Sequence, residues 1–256
     1  MNRQEKELVA SLDSLRDYGA THVKVAMEAE GILLSEILRT KIMTMAAGIG
    51  LSIKIGGCEA VTDTRIAIEH DTDILLAPMI ESRFALEKFL DMAEARYEKE
   101  ELREKTLLIN IETLTGSDNI ADILAAPNVE LLDGIVVGRT DLSGALKLRD
   151  VNHPDVLEAT RKVFVEAKQK SLRCLIGGGI SEKTMPFLDD LGDLVDGFET
   201  RKIVFYSGVA SGKDLGEAIQ QALKFEYLWY LWRRETYGRL SREDDGRIEK
   251  MASLFT

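Results

Sequence analysis

Short apolar runs alternate along the chain with longer segments that carry apolar residues at helical spacing. The short runs have the length and the β-branched content of buried strands. We predict seven strands, in the segments THVKVAMEAE, LSIKIGG, DILLAPMIES, LLINIE, GIVVGRTD, RCLIGGG and DGFETRKIVF. Because the connections are too long for hairpins, the strands are expected to be parallel, with right-handed crossovers. One helix is predicted before the first strand, at residues 4–18, and two after the last, at residues 214–235 and 241–254.

Several of these runs carry a charged residue at or near their end, where a strand would leave the core. An open doubly wound sheet usually has a glycine fingerprint after its first strand, whereas this first strand ends in AMEAEG. A barrel instead places its site at the C-terminal ends of all its strands. We therefore predict an α/β fold, a TIM-type (β/α) barrel with an N-terminal helix and extra C-terminal helices, whose site is lined by strand-end charges. These are Glu28, Glu30, Lys54, Glu81, Glu112, Arg139, Asp141, Glu199, Arg201 and Lys202.

Two of these residues, Glu112 and Asp141, suggest a metal site. The alternation within LLINIE puts Glu112 on the same face as Leu108 and Asn110, opposite a fully apolar face. Carboxylate oxygens are the ligands that Mg²⁺ and Mn²⁺ prefer. Spacing alone leaves a second interpretation open, in which both acids simply cap the helices that follow them.

Composition narrows the classes of partner. The length of 256 residues suits a single α/β barrel with a large core. A net charge of -11 and a pI near 4.9 argue against nucleic acid or an anionic membrane as partner, because either would bind a basic face. Cys58 and Cys174 form no zinc motif, and no segment resembles a signal peptide or a membrane span. We expect a cytoplasmic protein that acts on a small molecule.

The segments IKIGG, LLAPMIES, INIET, GIVVGRTDLSG and GGGIS, in that order and spacing, point to a family. They resemble the HpcH/HpaI aldolase and citrate lyase β-subunit family of the pyruvate/phosphoenolpyruvate barrel superfamily, most specifically at residues 138–143. The resemblance implies that Glu112 and Asp141 hold Mg²⁺ or Mn²⁺, which binds the carboxylate and keto oxygens of a pyruvate-like group. It also implies that backbone amides around Arg139 and Thr140 bind the substrate carboxylate.

The chain departs from the family pattern at two places. Lys54 stands where the family usually has arginine, and lysine offers a point charge in place of a planar fork. The aldolases of the family have a histidine base after this first strand, whereas the matching positions here are Ala29 and Glu30. The candidate catalytic residues are therefore Lys54, Glu28 and Glu30. The candidate substrate-binding residues are Gly138, Arg139, Thr140, Glu81 and Arg201.

The C-terminal segment is predicted to be a helical extension, at residues 213–256, of a barrel domain at residues 1–212. On a helix, Phe225, Trp229 and Trp232 share one face of a wide apolar stripe. This stripe either packs on the chain's own barrel or contacts a second subunit. We favour subunit contact, because Trp and Tyr are enriched at interfaces and family members exchange their last helices. A homo-oligomer is therefore expected.

Together these features predict a divalent-metal-dependent carbon–carbon lyase or aldolase, which acts on a 2-oxo acid or related small carboxylic acid through a metal-stabilised enolate. One alternative is a bond-forming enzyme or a CoA-thioester lyase of the same family. Another is a catalytically silent barrel that binds a small acid or a partner protein. The departures at Lys54 and Glu30 favour the silent barrel, and the retained carboxylate pair opposes it.

Overall fold

The strands of the molecule close into a barrel. The structure, a computed structural model, describes residues 1–209, 212–238 and 242–254. Eight strands follow one another around the barrel in chain order, and β1 to β7 are parallel neighbours. The strands are β1 (His22–Ala26), β2 (Gly50–Lys54), β3 (Ile74–Ala77), β4 (Thr106–Ile111), β5 (Gly134–Gly138), β6 (Arg173–Gly177), β7 (Gly197–Glu199) and β8 (Ile203–Phe205).

The predicted barrel is confirmed, but the run predicted as its seventh strand is a hairpin. β8 turns back and pairs antiparallel with both β7 and β1, so the all-parallel prediction is wrong at this strand. Thr200 closes the turn, because its N–H donates to the Ile203 carbonyl at 2.9 Å and its hydroxyl accepts from the Ile203 N–H at 3.1 Å. The sequence gives no sign of this turn, since glycine, proline and asparagine are absent from it.

Helices surround the barrel and follow the predicted order. They are α1 (Arg3–Asp17), α2 (Met27–Glu30), α3 (Leu34–Ala47), α4 (Val61–Glu69), α5 (Arg83–Arg96), α6 (Lys99–Leu102), α7 (Leu114–Asp118), α8 (Ile120–Ile123), α9 (Arg139–Ala145), α10 (Pro154–Gln169), α11 (Met185–Leu191), α12 (Leu215–Tyr237) and α13 (Arg242–Ala252). The predicted start of the last helix, Ser241, lies outside the described residues. None of the helices in the described ranges is long and apolar enough to cross a membrane.

The first predicted strand extends too far. β1 ends at Ala26, and the next four residues form the single-turn helix α2, which ends at Gly31 with a left-handed φ of 52°. Glu28 and Glu30 therefore do not continue the alternation of the strand. Glu28 lies exposed beside Gly56, whereas Glu30 binds the buried Lys202.

The core has an outer and an inner part. The outer part lies between the strands and the helices, and the inner part is a separate apolar cluster within the barrel. Its buried members are Ile74, Leu76, Leu108, Val136, Leu175 and Val204. Nearer the C-terminal strand ends, the buried residues become polar, with Asn110 on β4 and Glu199 on β7 both 3% exposed. The site therefore begins where the apolar filling of the barrel ends.

α12 packs on α1 of its own chain, and its buried apolar side chains belong to the same core cluster as those of the strands. Its aromatic stripe is buried there, with Phe225 and Trp229 each 1% exposed and Trp232 fully buried. The Lys202 ammonium lies 4.7 Å from the centre of the Trp229 ring. One chain thus buries the stripe without a second subunit. The division of the chain at residue 212 stays a prediction.

Candidate active site at the C-terminal end of the barrel

Glu112 is a buried acid at the C-terminal end of the barrel, and it contacts the end of β2 and the loop after β3. It follows β4 directly and is 3% exposed. Its Oε1 lies 3.2 Å from the Lys54 ammonium and accepts from the Met79 N–H at 3.2 Å. Its Oε2 lies 3.1 Å from Lys54 and accepts from the Asn110 amide at 2.9 Å. The helix-capping interpretation is wrong for Glu112, because Thr113 caps α7.

Gly138, the last residue of β5, makes room for this carboxylate. A Cβ atom at Gly138 would lie 2.7 Å from Glu112 Oε2 and 2.8 Å from Glu112 Cβ. Real Cβ atoms do not approach other atoms so closely, so any side chain at this position would displace Glu112. The absence of a side chain at Gly138 therefore leaves the space that the Glu112 side chain occupies.

Asp141 contacts Glu112 from the first turn of α9, which follows β5. Burial raises the pKa of Asp141 above its ordinary value, and the negative charge of Glu112 raises it further, against the opposing charge of Lys54. The two acids that the sequence singled out are thus neighbours. Two carboxylates this close need a cation beside them, and Lys54 supplies one positive charge.

Arg201 and Glu30 lie on the β7–β8 side of the site. The Arg201 guanidinium is 3.3 Å from Glu30 Oε1. Its positive charge, like that of Lys54, partly opposes the rise in the pKa of Asp141. The second oxygen of Glu30 binds the fully buried Lys202. Burial opposes ionisation of Glu30, but Lys202 and Arg201 outweigh it and hold its pKa below the ordinary value. Glu30 is therefore an ionised anchor for two cations.

Glu28 has a different environment, although it is only two residues away. It is exposed, and its Cγ lies against Gly56, where a Cβ atom would approach it to 2.5 Å. Gly56 lies two residues beyond Lys54 in the loop after β2. Glu28 is thus a solvent-accessible carboxylate near the Lys54 loop.

The side chains of Arg139 and Glu81 bind protein groups. Arg139 is fully buried and donates to the Gly177 and Gly178 carbonyls at 3.2 and 2.8 Å, so it fixes the loop after β6. Glu81 accepts from the Thr113 hydroxyl at 2.6 Å and so joins the loops after β3 and β4. The backbone of residues 139–140 is closely approached by Gly178, whose Cβ would lie 2.5 Å from the Thr140 nitrogen. The candidate contacts to substrate are thus the backbone N–H groups.

Sequence reasoning assigned no role to Lys24 and Asn110, two buried polar residues near the site. Lys24 forms an ion pair within the barrel with Glu199, one of the strand-end charges predicted to line the site. Asn110 lies on β4, and its Oδ1 has no hydrogen-bond partner among the described residues. The period-2 pattern could have found both Lys24 and Asn110, since each is a polar residue on the inward face of a strand.

Glu226 is a further buried acid, and it comes from α12. Burial raises its pKa to about 7, although Lys202 and Arg201 act in the opposite direction. No sequence pattern identifies it, because it lies within an aromatic helix whose position depends on tertiary packing.

Replacement of Glu226 by Gln is expected to stabilise the protein at pH 8 by up to about 3 kcal/mol and to have little effect at pH 5. The pKa of Glu226 is raised from 4.5 to about 7 by folding, so the free energy of unfolding falls as pH rises from 4.5 through about 7 and Glu226 ionises. Glutamine cannot ionise, so the variant does not lose this stability. Urea unfolding of wild type and variant at both pH values measures it, with the exposed Glu158→Gln on α10 as control. An equal effect at both pH values would contradict the assignment.

The carboxylate pair suits a hard divalent cation in its chemistry. Mg²⁺ typically binds one or two protein carboxylates and completes its shell with waters and substrate oxygens. Glu112 and Asp141 supply two such carboxylates in contact. No group of three or more His, Cys, Asp or Glu residues that could hold a metal ion occurs in the described part of the chain. The two carboxylates therefore fit a cation that takes its remaining ligands from water and substrate.

Comparison with known proteins agrees with the fold and with the family resemblance. 5-Keto-4-deoxy-D-glucarate aldolase of Salmonella gallinarum is 34% identical over 85 residues, which are 33% of this chain and 32% of that protein. The chain thus matches this curated relative over about a third of its length. An HpcH/HpaI aldolase/citrate lyase family protein from Burkholderia cenocepacia J2315 superposes with a TM-score of 0.63 at 17% identity, over 77% of this chain and 83% of that one. The citrate synthase SbnG superposes with a TM-score of 0.62 at 16% identity, over 77% of this chain and 81% of that one.

These two structural similarities show the fold alone. The family model for HpcH/HpaI aldolase/citrate lyase matches residues 35–177, which is more than half of the chain. The matched region contains β2 to β6 and both carboxylates of the pair. The chain belongs to the HpcH/HpaI aldolase/citrate lyase family.

Proposed function

We propose that this chain is a cytoplasmic, divalent-metal-dependent carbon–carbon lyase or aldolase that acts on a 2-oxo acid or related small carboxylic acid. Its family and its aldolase relatives support a lyase activity. Metal dependence and a 2-oxo acid substrate are supported by one observation, the contact of Glu112 with Asp141 beside Lys54 at the C-terminal end of the barrel. The free thiols of Cys58 and Cys174 are consistent with a reducing compartment.

Glu112 and Asp141 would hold Mg²⁺ or Mn²⁺, which when bound polarises a keto oxygen and stabilises the enolate formed by carbon–carbon cleavage. The backbone N–H groups of Arg139 and Thr140 would bind the substrate carboxylate. Gly138 keeps the space for Glu112, and Glu81 positions the adjoining loops through Thr113.

The remaining charges have separate roles in this proposal. Lys54 and Arg201 supply positive charge beside the developing oxyanion. Glu30 does not touch substrate and instead positions Arg201, to which it is bound at 3.3 Å. Glu28 is the proton acceptor or donor, because it is the exposed carboxylate near the Lys54 loop.

The relatives support a substrate class. The similarity to 5-keto-4-deoxy-D-glucarate aldolases supports a small keto acid that bears further carboxylate or hydroxyl groups. The structural likeness to a citrate synthase keeps the bond-forming direction as the alternative within enzymes. A silent binding barrel remains the alternative outside enzymes, because Lys54 already pairs with Glu112.

Proton exchange of pyruvate tests the proposal without knowledge of the full substrate. The protein is incubated with pyruvate in D₂O with Mg²⁺, with Mn²⁺ or with a chelator, and loss of the methyl signal is followed by ¹H NMR. The proposal predicts exchange that requires both protein and metal. Metal-dependent binding of pyruvate without exchange would instead support the silent barrel.

We also propose that the chain forms a homo-oligomer, in which the exposed face of α3 contacts a second copy. Leu34, Leu38, Ile42 and Met45, which we call the α3 stripe, lie at helical spacing and are 46–68% exposed. The opposite face of α3 is buried and includes Ile37, Met43 and Ala47, so apolar residues lie on both sides of the helix. Antiparallel packing of two copies would bring stripe against stripe. On this acidic chain the only acid of α3, Glu36, is buried, so the contact avoids repulsion between carboxylates.

Replacement of Leu38 by Glu is expected to dissociate the oligomer, because it places a carboxylate at the centre of the α3 stripe. Sedimentation velocity of the wild type and the variant measures the change. The matched control is Val165→Glu, which alters a 44% exposed apolar residue on α10. A monomeric wild type, or an oligomer that survives in the variant, would contradict this interface.

A further inference from the structure

The Glu112 carboxylate is saturated with donors. An ionised carboxylate offers about four acceptor positions. Oε1 faces Lys54 and the Met79 N–H, and Oε2 faces Lys54 and the Asn110 amide, at distances of 2.9 to 3.2 Å. A divalent cation could bind Glu112 only if one of these donors withdraws.

The donors differ in their freedom to withdraw. The Met79 N–H belongs to the backbone that follows β3, and Asn110 is 3% exposed within β4. Lys54 is the last residue of β2, and its side chain is 18% exposed on a flexible four-carbon stem. Lys54 is therefore the donor that can leave while the strands stay in place.

We propose that Lys54 is a built-in competitor of the divalent cation, whose ammonium neutralises Glu112 and must leave that carboxylate before the cation binds. The inference rests on the proposed function, because it takes Glu112 and Asp141 as the metal ligands. Once displaced, Lys54 is free to bind the carboxylate or keto oxygen of the arriving substrate. Lys54 thus couples occupation of the metal site to occupation of the substrate site.

The chemistry of lysine suits this exchange. Its ammonium is a compact point charge that contacts both Glu112 oxygens, at 3.1 and 3.2 Å, as a bound cation would. Arg201 is not placed to take over this role, since its guanidinium is engaged with Glu30 at 3.3 Å. Removal of the Lys54 charge should therefore raise the affinity of the two carboxylates for a divalent cation.

Binding of Mn²⁺ alone, followed by electron paramagnetic resonance, tests the competition without catalysis. Lys54→Met is expected to bind Mn²⁺ at least about 10-fold more tightly than wild type, and Lys54→Arg, which keeps the charge, is expected to remain within about 3-fold of wild type. Lys162→Met on α10 is the control for the loss of one surface charge. The melting temperature is a second readout, since Mn²⁺ should raise it more in Lys54→Met than in wild type. Lys54→Gln serves if the methionine variant does not fold.

The outcomes separate this inference from the proposed function. Mn²⁺ affinity that is unchanged or weaker in both neutral variants, with binding retained in wild type, overturns the competition alone. Absence of Mn²⁺ binding at millimolar concentration in wild type and both neutral variants overturns the metal site itself, and the competition with it.

Discussion

Glu112→Gln is expected to lower metal-dependent pyruvate exchange by more than about 100-fold, since loss of a mere partner of a metal ligand already costs 10- to 100-fold. Glutamine keeps the shape of the side chain, and its Oε1 can still accept from Met79 or Lys54. The negative charge of the pair is halved, however, and the raised pKa of Asp141 should fall because Glu112 contributes to it. Loss of exchange in a folded variant would therefore report on charge.

The measurement is the NMR exchange assay at saturating Mn²⁺, accompanied by Mn²⁺ titration of the same samples. Glu87→Gln is a matched control, because Glu87 pairs with Arg83 on the surface of α5. Full exchange activity in Glu112→Gln, at wild-type metal affinity, would refute the role of this carboxylate.

Glu30→Ala is expected to destabilise the protein by about 3–5 kcal/mol, the usual cost of removing one partner of a buried ion pair. Lys202 is fully buried, and its ammonium binds Glu30 and lies against the Trp229 ring. Without Glu30 this buried charge would lose the carboxylate that binds it. Urea unfolding at pH 5.5 measures the loss.

A double-mutant cycle separates the lost pair from general damage to α2. Lys202→Met in the Glu30→Ala background should recover most of the lost stability, because a buried ion pair can be replaced by apolar groups at little cost. A destabilisation below about 1 kcal/mol in Glu30→Ala, or no recovery in the double variant, would contradict the anchoring role of Glu30.

The fold could be predicted largely because each strand carries its own signal. Runs such as LLINIE and GIVVG are apolar on the side that packs against helices, and they end in Glu112 and Gly138 at the open end of the barrel. The hairpin of β7 and β8 could not be predicted, because a threonine hydroxyl closes its turn through contacts that exist only in the folded chain. α2 could not be predicted for a similar reason, since in the sequence pattern Glu28 and Glu30 continue the polar alternation of β1, although in the folded chain they lie on a helix.

The site could be predicted in part. The contact of Glu112 with Asp141 follows from their places after adjacent strands, β4 and β5. The different surroundings of Glu28 and Glu30 could not be predicted, since Lys202 in the β7–β8 turn binds Glu30 only when β8 pairs with β1 and closes the barrel. Glu226 was missed because α12 must first dock on the barrel before its acid is buried.

A crystal structure with Mn²⁺ and oxalate, a stable mimic of the enolate form of pyruvate, is the sharpest test of metal binding by Glu112 and Asp141. We expect one Mn²⁺ ion, seen as an anomalous peak, bound by carboxylate oxygens of both Glu112 and Asp141, with oxalate chelating the ion and Lys54 withdrawn from Glu112. An empty carboxylate pair at millimolar Mn²⁺ and oxalate, with Lys54 still on Glu112, would contradict it.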